Sequence, residues 1–126
     1  MAAGKRFRFQ GRLLPPMEKR ELINAEGVDP EVLRAYGELY LKAGRLAEAL
    51  DFFLGARDRE GLAKIKARAI EAADNFLFSR LERSGLVPVT AEDWQALGQA
   101  AERLGKLGVA EIARSRAQQP VLKPQV

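Results

Sequence analysis

Apolar residues recur along most of this chain at intervals of three and four, the spacing that lines up one face of an α-helix. Leu33, Tyr36, Leu39/Tyr40 and Ala43 form one stripe, and Leu46, Ala49/Leu50 and Phe53 form the next. Asp29-Pro30 opens the first of them. Aspartate is a good N-cap, and proline at the first helical position gives up no N–H that the helix needs. Gly44 closes it, since glycine enters the left-handed conformation without strain. The spacing predicts helices over 30–43 and 46–56, joined by a turn too short for anything but an antiparallel hairpin. Asp58 begins the longest pattern, through Leu62, Ile65, Ala69, Ala72/Ala73, Phe76/Leu77 and Leu81. It reads as a helical pattern to about Arg83, stopped by Gly85, with residues 64–90 forming one helix or two. Thr90 caps a further helix with the stripe Trp94, Leu97, Ala101 and Leu104; Gly105 breaks it, and Val109, Ala110, Ala113 and Ala117 mark a last one. Pro15-Pro16 suits the first turn of a short helix reaching about Glu26.

The two ends read differently. Residues 1–14 have no helical period, and Arg6-Phe7-Arg8-Phe9-Gln10 alternates with period two, as an extended segment would. Residues 118–126, with Pro120 and Pro124, read as an irregular tail. The expected organisation is therefore a basic extended arm over 1–14, a helical domain over 15–117 and a tail over 118–126.

Two of the helical segments align without a gap at an offset of 61. Leu33 matches Trp94, Tyr36 matches Leu97, Gly37 matches Gly98, Gly44 matches Gly105, Ala49 matches Ala110 and Ala56 matches Ala117. The series Trp94-x-x-Leu97-Gly98, Gly37-x-x-Tyr40 and Glu48-Ala49-x-x-x-Phe53-x-x-Ala56 resembles the tetratricopeptide repeat (TPR), a helix–turn–helix unit of about 34 residues. The second unit departs from that pattern at Ala101 and Arg114, where the repeat has an aromatic residue. Independently of the name, small residues at Gly37 and Ala49 on facing helices permit close approach, with large neighbours filling the space around them.

The resemblance implies an all-α fold, a short right-handed array of TPR-like antiparallel helical hairpins with a basic N-terminal arm. It also implies a concave groove, lined by the first helix of each repeat, that holds a peptide. By position the lining residues are Arg34, Glu38, Leu41 and Lys42, then Gln95, Gln99, Glu102 and Arg103. TPR domains that clamp a C-terminal carboxylate use Lys and Asn at such places. Glu38 stands where an Asn is needed, so that ligand is not expected. Arg34 and Lys42 flank Glu38 at spacings of four, a pattern suited to an acidic peptide. Repeat arrays usually need three or more units to bury a continuous core, and residues 64–90 match neither unit. The apolar run Phe76-Leu77-Phe78 cannot all face inward from one helix, which makes homo-oligomerisation through the long helix an expectation.

Composition narrows the function more by subtraction than by addition. The 126 residues include no cysteine and no histidine. That removes thiolate nucleophiles, soft zinc ligands, the commonest general base and the commonest metal ligand together. No glycine-rich phosphate loop or nucleophile elbow occurs. Neither catalysis nor a metal or cofactor is expected. No apolar run approaches the roughly 20 residues of a membrane span, so no membrane partner is expected and the cytoplasm is the default location. The net charge is +4, but residues 1–20 alone carry +5, leaving −1 on the rest. Lys5, Arg6, Arg8 and Arg12 interleave with Phe7 and Phe9, the chemistry that tracks phosphates and stacks bases. The alternative is a flexible or docked tail whose Phe side chains cover the body's apolar surface. The leading expectation is a non-catalytic protein–protein interaction module, a scaffold or assembly adaptor that takes a peptide or partner surface in the groove. A nucleic-acid or ribosome-associated factor using the basic arm is the alternative.

Overall fold

A computed structural model describes residues 7–119. They form seven helices, and no strand occurs among the described residues. In chain order these are α1 (Pro16–Asn24), α2 (Pro30–Lys42), α3 (Leu46–Ala56), α4 (Arg59–Glu71), α5 (Asn75–Ser84), α6 (Ala91–Arg103) and α7 (Leu107–Gln118). Two compact units divide the chain inside α4, Met1–Ile65 and Lys66–Val126.

In the first unit α2 and α3 form an antiparallel hairpin. Asp29 caps α2 by accepting from the Glu31 N–H at 2.9 Å, with Pro30 at its first position. Tyr36, Tyr40, Leu50, Phe52 and Phe53 are completely or almost completely buried. The Phe52 ring stacks on Tyr36 at 5.4 Å between centroids and lies 5.0 Å from Tyr40. Both tyrosine hydroxyls find partners in the segment before α1. Tyr36 Oη accepts from the Gln10 N–H at 3.0 Å and donates to the Arg8 carbonyl at 3.2 Å; Tyr40 Oη accepts from the Leu14 N–H at 2.8 Å. Phe9 meets the Tyr36 ring edge-on at 4.9 Å. The described part of the arm is thus a coil strapped to α2 by backbone hydrogen bonds, the docked alternative, without a strand.

The close approach expected of Gly37 and Ala49 takes a different form. Ala49 is fully buried, but the neighbour that excludes a side chain from Gly37 is Phe53. A Cβ on Gly37 would lie 2.5 Å from Phe53 Cε1, and one on Gly61, in the first turn of α4, would overlap the same ring. The phenyl ring rests against two bare backbones. Asp58 fixes the start of α4, accepting from the Gly61 N–H at 3.1 Å through Oδ1 while Oδ2 accepts from Arg34 Nε at 3.2 Å.

In the second unit, Phe78 and Trp94 meet edge-on at 4.6 Å within a core of Leu77, Leu81, Leu97, Ala101 and Ala113. Helices α6 and α7 form an antiparallel hairpin, and a Cβ on Gly98 would lie 3.3 Å from Ala113 Cβ there. Thr90 and Asp93 form a reciprocal capping box at the start of α6.

The long helical pattern from Asp58 to Arg83 is two helices, α4 and α5. Ala73 is left-handed at φ 50°, and Asp74 then caps α5 by accepting from the Leu77 N–H at 3.1 Å. The break repeats a turn used elsewhere. Arg45 N–H donates to Tyr40 O at 2.9 Å across left-handed Gly44, and Lys106 N–H to Ala101 O at 2.8 Å across Gly105. Asp74 N–H does the same to Ala69 O at 2.8 Å across Ala73. Residues 64–90, too few for a repeat on sequence spacing, therefore contain two helices joined by the same three-residue turn. Lys106 reinforces it, its Nζ donating to the Ala72 carbonyl at 2.9 Å. Helix α1 ends at Asn24 rather than at about Glu26, an ordinary fraying-scale difference.

Phe76-Leu77-Phe78 also sorts differently than one long helix would allow. Phe78 is fully buried and Leu77 nearly so, while Phe76 is 67% exposed. Any association through this run must use Phe76, since Phe78 belongs to the core.

Two stability measurements check this fold. A left-handed non-glycine residue costs roughly 1–2 kcal/mol, so Ala73→Gly should stabilise the chain to denaturant by up to about 1 kcal/mol after the extra unfolded-state entropy of glycine. Gly37→Ala should destabilise by about 1–3 kcal/mol through overpacking on Phe53, outweighing a helix-propensity gain of about 1 kcal/mol. In a Phe53→Leu background the same change should turn neutral or stabilising, which a double-mutant cycle reads directly.

Candidate partner-binding groove

Helices α6 and α7 enclose a groove of about 390 Å³ lined by Trp94, Gln95, Gly98, Gln99, Glu102, Ala110, Arg114, Ala117 and Gln118. Its size falls at the low end of the roughly 300–1,000 Å³ typical of ligand sites. Its floor is made by small residues, Gly98 and Ala110, and its walls by amides and one opposed charge pair. Arg114 of α7 pairs with Glu102 of α6, both about half exposed. Trp94 also lines the groove, with the Arg116 guanidinium over its ring 4.5 Å from the centroid. Arg116 is itself held to Glu82 at 2.6 Å.

The first turn of α6 is firmly anchored, which fixes the groove's amides. Asp93 Oδ2 accepts from the Thr90 N–H at 3.0 Å and from Lys66 Nζ at 2.9 Å. Lys66 also donates to the Pro88 carbonyl at 3.0 Å. Burial alone would raise the Asp93 carboxyl, but the Thr90 backbone N–H and the Lys66 ammonium outweigh it and hold the group below the usual aspartate range.

The residues anticipated from the repeat pattern fall into different environments. Gln95, Gln99 and Glu102 all line the α6–α7 groove, whereas Arg103 is exposed without lining it. Leu41 is buried at 8% exposure and has almost no surface to offer a ligand, so it is a core residue. Its place in the stripe Leu33–Tyr40–Leu41 puts it on the boundary of the apolar face, where spacing alone does not separate core from rim. Arg34 is engaged within the fold: the Glu31 carboxylate, and then Asp58, keep its guanidinium protonated above its ordinary value. Glu38 accepts from Lys64 Nζ at 3.0 Å and raises that ammonium in turn. Lys42 is exposed at the last position of α2. Reversing Arg34 would set a carboxylate against Asp58 at the start of α4, so its charge serves the fold.

Of the basic arm, Lys5 and Arg6 lie outside the described residues. Arg12 pairs with Glu18 at 3.7 Å and donates to Gln10 Oε1 at 2.6 Å, and Arg8 is exposed. Four lining residues, Ala110, Arg114, Ala117 and Gln118, come from α7, the helix that repeat-based reasoning assigned no part in binding. The departure at Arg114 from the aromatic pattern was the available signal.

Among the described residues no group of three or more His, Cys, Asp or Glu side chains has metal-binding geometry, and no helix is long and apolar enough to cross a membrane. Comparison of the chain with protein-family models, with curated proteins and with solved structures returns no match.

Asp93 gives the groove's support a pH signature. Its folded pKa lies below its unfolded value of about 4, so its stabilisation is fully present above that value and is lost as pH falls through the folded pKa. Acid titration should therefore loosen α6, read by Trp94 fluorescence, and Asp93→Asn should remove most of that pH dependence while lowering stability at neutral pH. An unchanged acid limb in Asp93→Asn would assign the dependence to other carboxylates.

Proposed function

We propose that this chain is a non-catalytic protein–protein interaction module, a TPR-like adaptor that receives a peptide or partner surface on its helical hairpins. One observation carries the reading. The α6–α7 hairpin presents an open groove lined by Gln95, Gln99 and Glu102, which the repeat pattern assigns to partner contact. A groove with a small-residue floor and amide walls offers hydrogen bonds and shape without strong net charge. Specificity then rests on local complementarity rather than on a long-range field. The recurrence of one left-handed turn at Gly44, Ala73 and Gly105 supports the TPR-like element of the reading.

The nucleic-acid alternative draws less support. The arm's described backbone is committed to Tyr36 and Tyr40, and Arg12 already has partners in Glu18 and Gln10. A basic segment that tracks phosphates needs its cations available to solvent.

The test compares two variants of the intact chain as bait in extract from its native cells. Gln99→Trp fills the groove from an exposed position, and Arg8→Glu with Arg12→Glu reverses the described arm charges. Specific protein capture should be lost with the first, and should survive both the second and nuclease treatment. Capture that tolerates Gln99→Trp but fails on arm reversal or nuclease would overturn the module reading in favour of nucleic acid.

A further inference from the structure

We propose that the α6–α7 groove seats an α-helix of a partner protein, one that lays a glutamate side chain over Gly98 toward Arg114. The proposal rests on the interaction-module reading and specifies the occupant.

The template lies within the chain's own first unit. There the α2–α3 hairpin holds the beginning of α4 through three contacts. Arg34 bonds Asp58 at 3.2 Å, Glu38 bonds Lys64 at 3.0 Å, and the Phe53 ring lies against Gly61. The gapless offset of 61 carries Arg34 to Gln95, Gly37 to Gly98, Glu38 to Gln99 and Phe53 to Arg114. All four counterparts line the open groove. The positions that grip a helix on one hairpin are the positions left open on the other.

The differences between the two sets define the occupant. On α2–α3 the hairpin itself supplies bulk, the Phe53 ring, and the incoming helix supplies a bare glycine. On α6–α7 the ring is replaced by Arg114, whose guanidinium is engaged with Glu102. The three atoms a Cβ on Gly98 would meet first all belong to α7, the nearest being Ala113 Cβ at 3.3 Å, and none is part of a ring. The bulk must therefore come from the incoming helix, at the place where α4 carries Gly61. A glutamate there sets its methylene stem on Gly98 and its carboxylate against Arg114, competing with Glu102 for an exposed ion pair of a weakly held kind. The two ion-pairing positions of the template are amides here, Gln95 and Gln99, so neither demands a charged partner. An acidic helix fits this arrangement, and a basic one places like charge on Arg114.

The probe is a capped synthetic peptide of residues 58–72, prepared with Gly61→Glu and with Gly61→Lys, two changes of similar helix propensity and bulk but opposite charge. Each is titrated to millimolar concentration into the whole isotope-labelled chain, because a helix offered in trans lacks the effective concentration of a tethered one. The glutamate peptide should shift the amides of Gly98, Ala110 and Arg114 saturably, with the lysine peptide about tenfold weaker, the equivalent of one charge-assisted contact of about 1.4 kcal/mol. In the chain carrying Arg114→Glu with Glu102→Gln, both at exposed positions, the order of the two peptides should invert. Equal binding of the two peptides, or no shift at those three amides, overturns the helical occupant. If in that case Gln99→Trp still abolishes protein capture, the module reading stands and the partner is extended. Dimerisation of the chain alone, abolished by Gln99→Trp, would instead make a second copy the occupant and overturn the partner assignment.

Discussion

A single phenyl ring organises the first unit. Phe53 leaves α3 fully buried and lies against Gly37 of α2 and Gly61 of α4, neither of which has room for a Cβ. Three helices are brought together by one side chain and two absences. The aromatic group of Tyr36, Tyr40 and Phe52 packs around the same hairpin, and the tyrosine hydroxyls fasten the segment before α1 to it. Buried hydroxyls need partners, and backbone N–H groups of Gln10 and Leu14 supply them. The docking of the arm is in this sense a consequence of where the aromatic core puts its polar ends.

The second unit uses the same turn geometry with a different filling. Phe78 packs edge-on against Trp94, and the Arg116 guanidinium lies over the same indole. At the place where Phe53 stands in the first hairpin, Arg114 stands in the second. The Arg114 guanidinium meets the exposed Glu102 carboxylate and stays at the surface, so no ring covers Gly98 and it lines the groove. The groove follows from one aromatic-to-arginine replacement in an otherwise similar hairpin. The groove is made by omission, and its chemistry is set by what the omission leaves: three amides, an ion pair and a glycine.

Much of the fold was legible because its signals are local. Asp29-Pro30, Gly44, Thr90 and Gly105 each mark a helix end through a capping bond or a left-handed residue, and each lies where the pattern put it. The break at Ala73 was not legible, since alanine is a strong helix former that here takes φ 50°. Asp74 caps α5 from within an apolar stripe that runs unbroken across it, so periodicity does not separate the two helices. The burial of Leu41 and the sorting of Phe76 from Phe78 depend on tertiary neighbours, which periodicity does not supply. For the site, the α6 face carrying Gln95, Gln99 and Glu102 came from repeat position alone, while the α7 side with Arg114 required the hairpin itself. The roles of Arg34 and Glu38 were hidden for the same reason, because their partners Asp58 and Lys64 are 24 and 26 residues away.

The central claim is that an aromatic ring fills the Gly37 position of one hairpin while the equivalent Gly98 of the other stays open. Glycine Hα chemical shifts test it most directly, since a proton within van der Waals contact of a phenyl ring is displaced by the ring current. The account predicts that Gly37 and Gly61 each show an Hα pair split far from the ordinary helical position, collapsing together in Phe53→Leu, while Gly98 is ordinary and unaffected. Ordinary shifts at Gly37 and Gly61, or displaced shifts at Gly98, would contradict it.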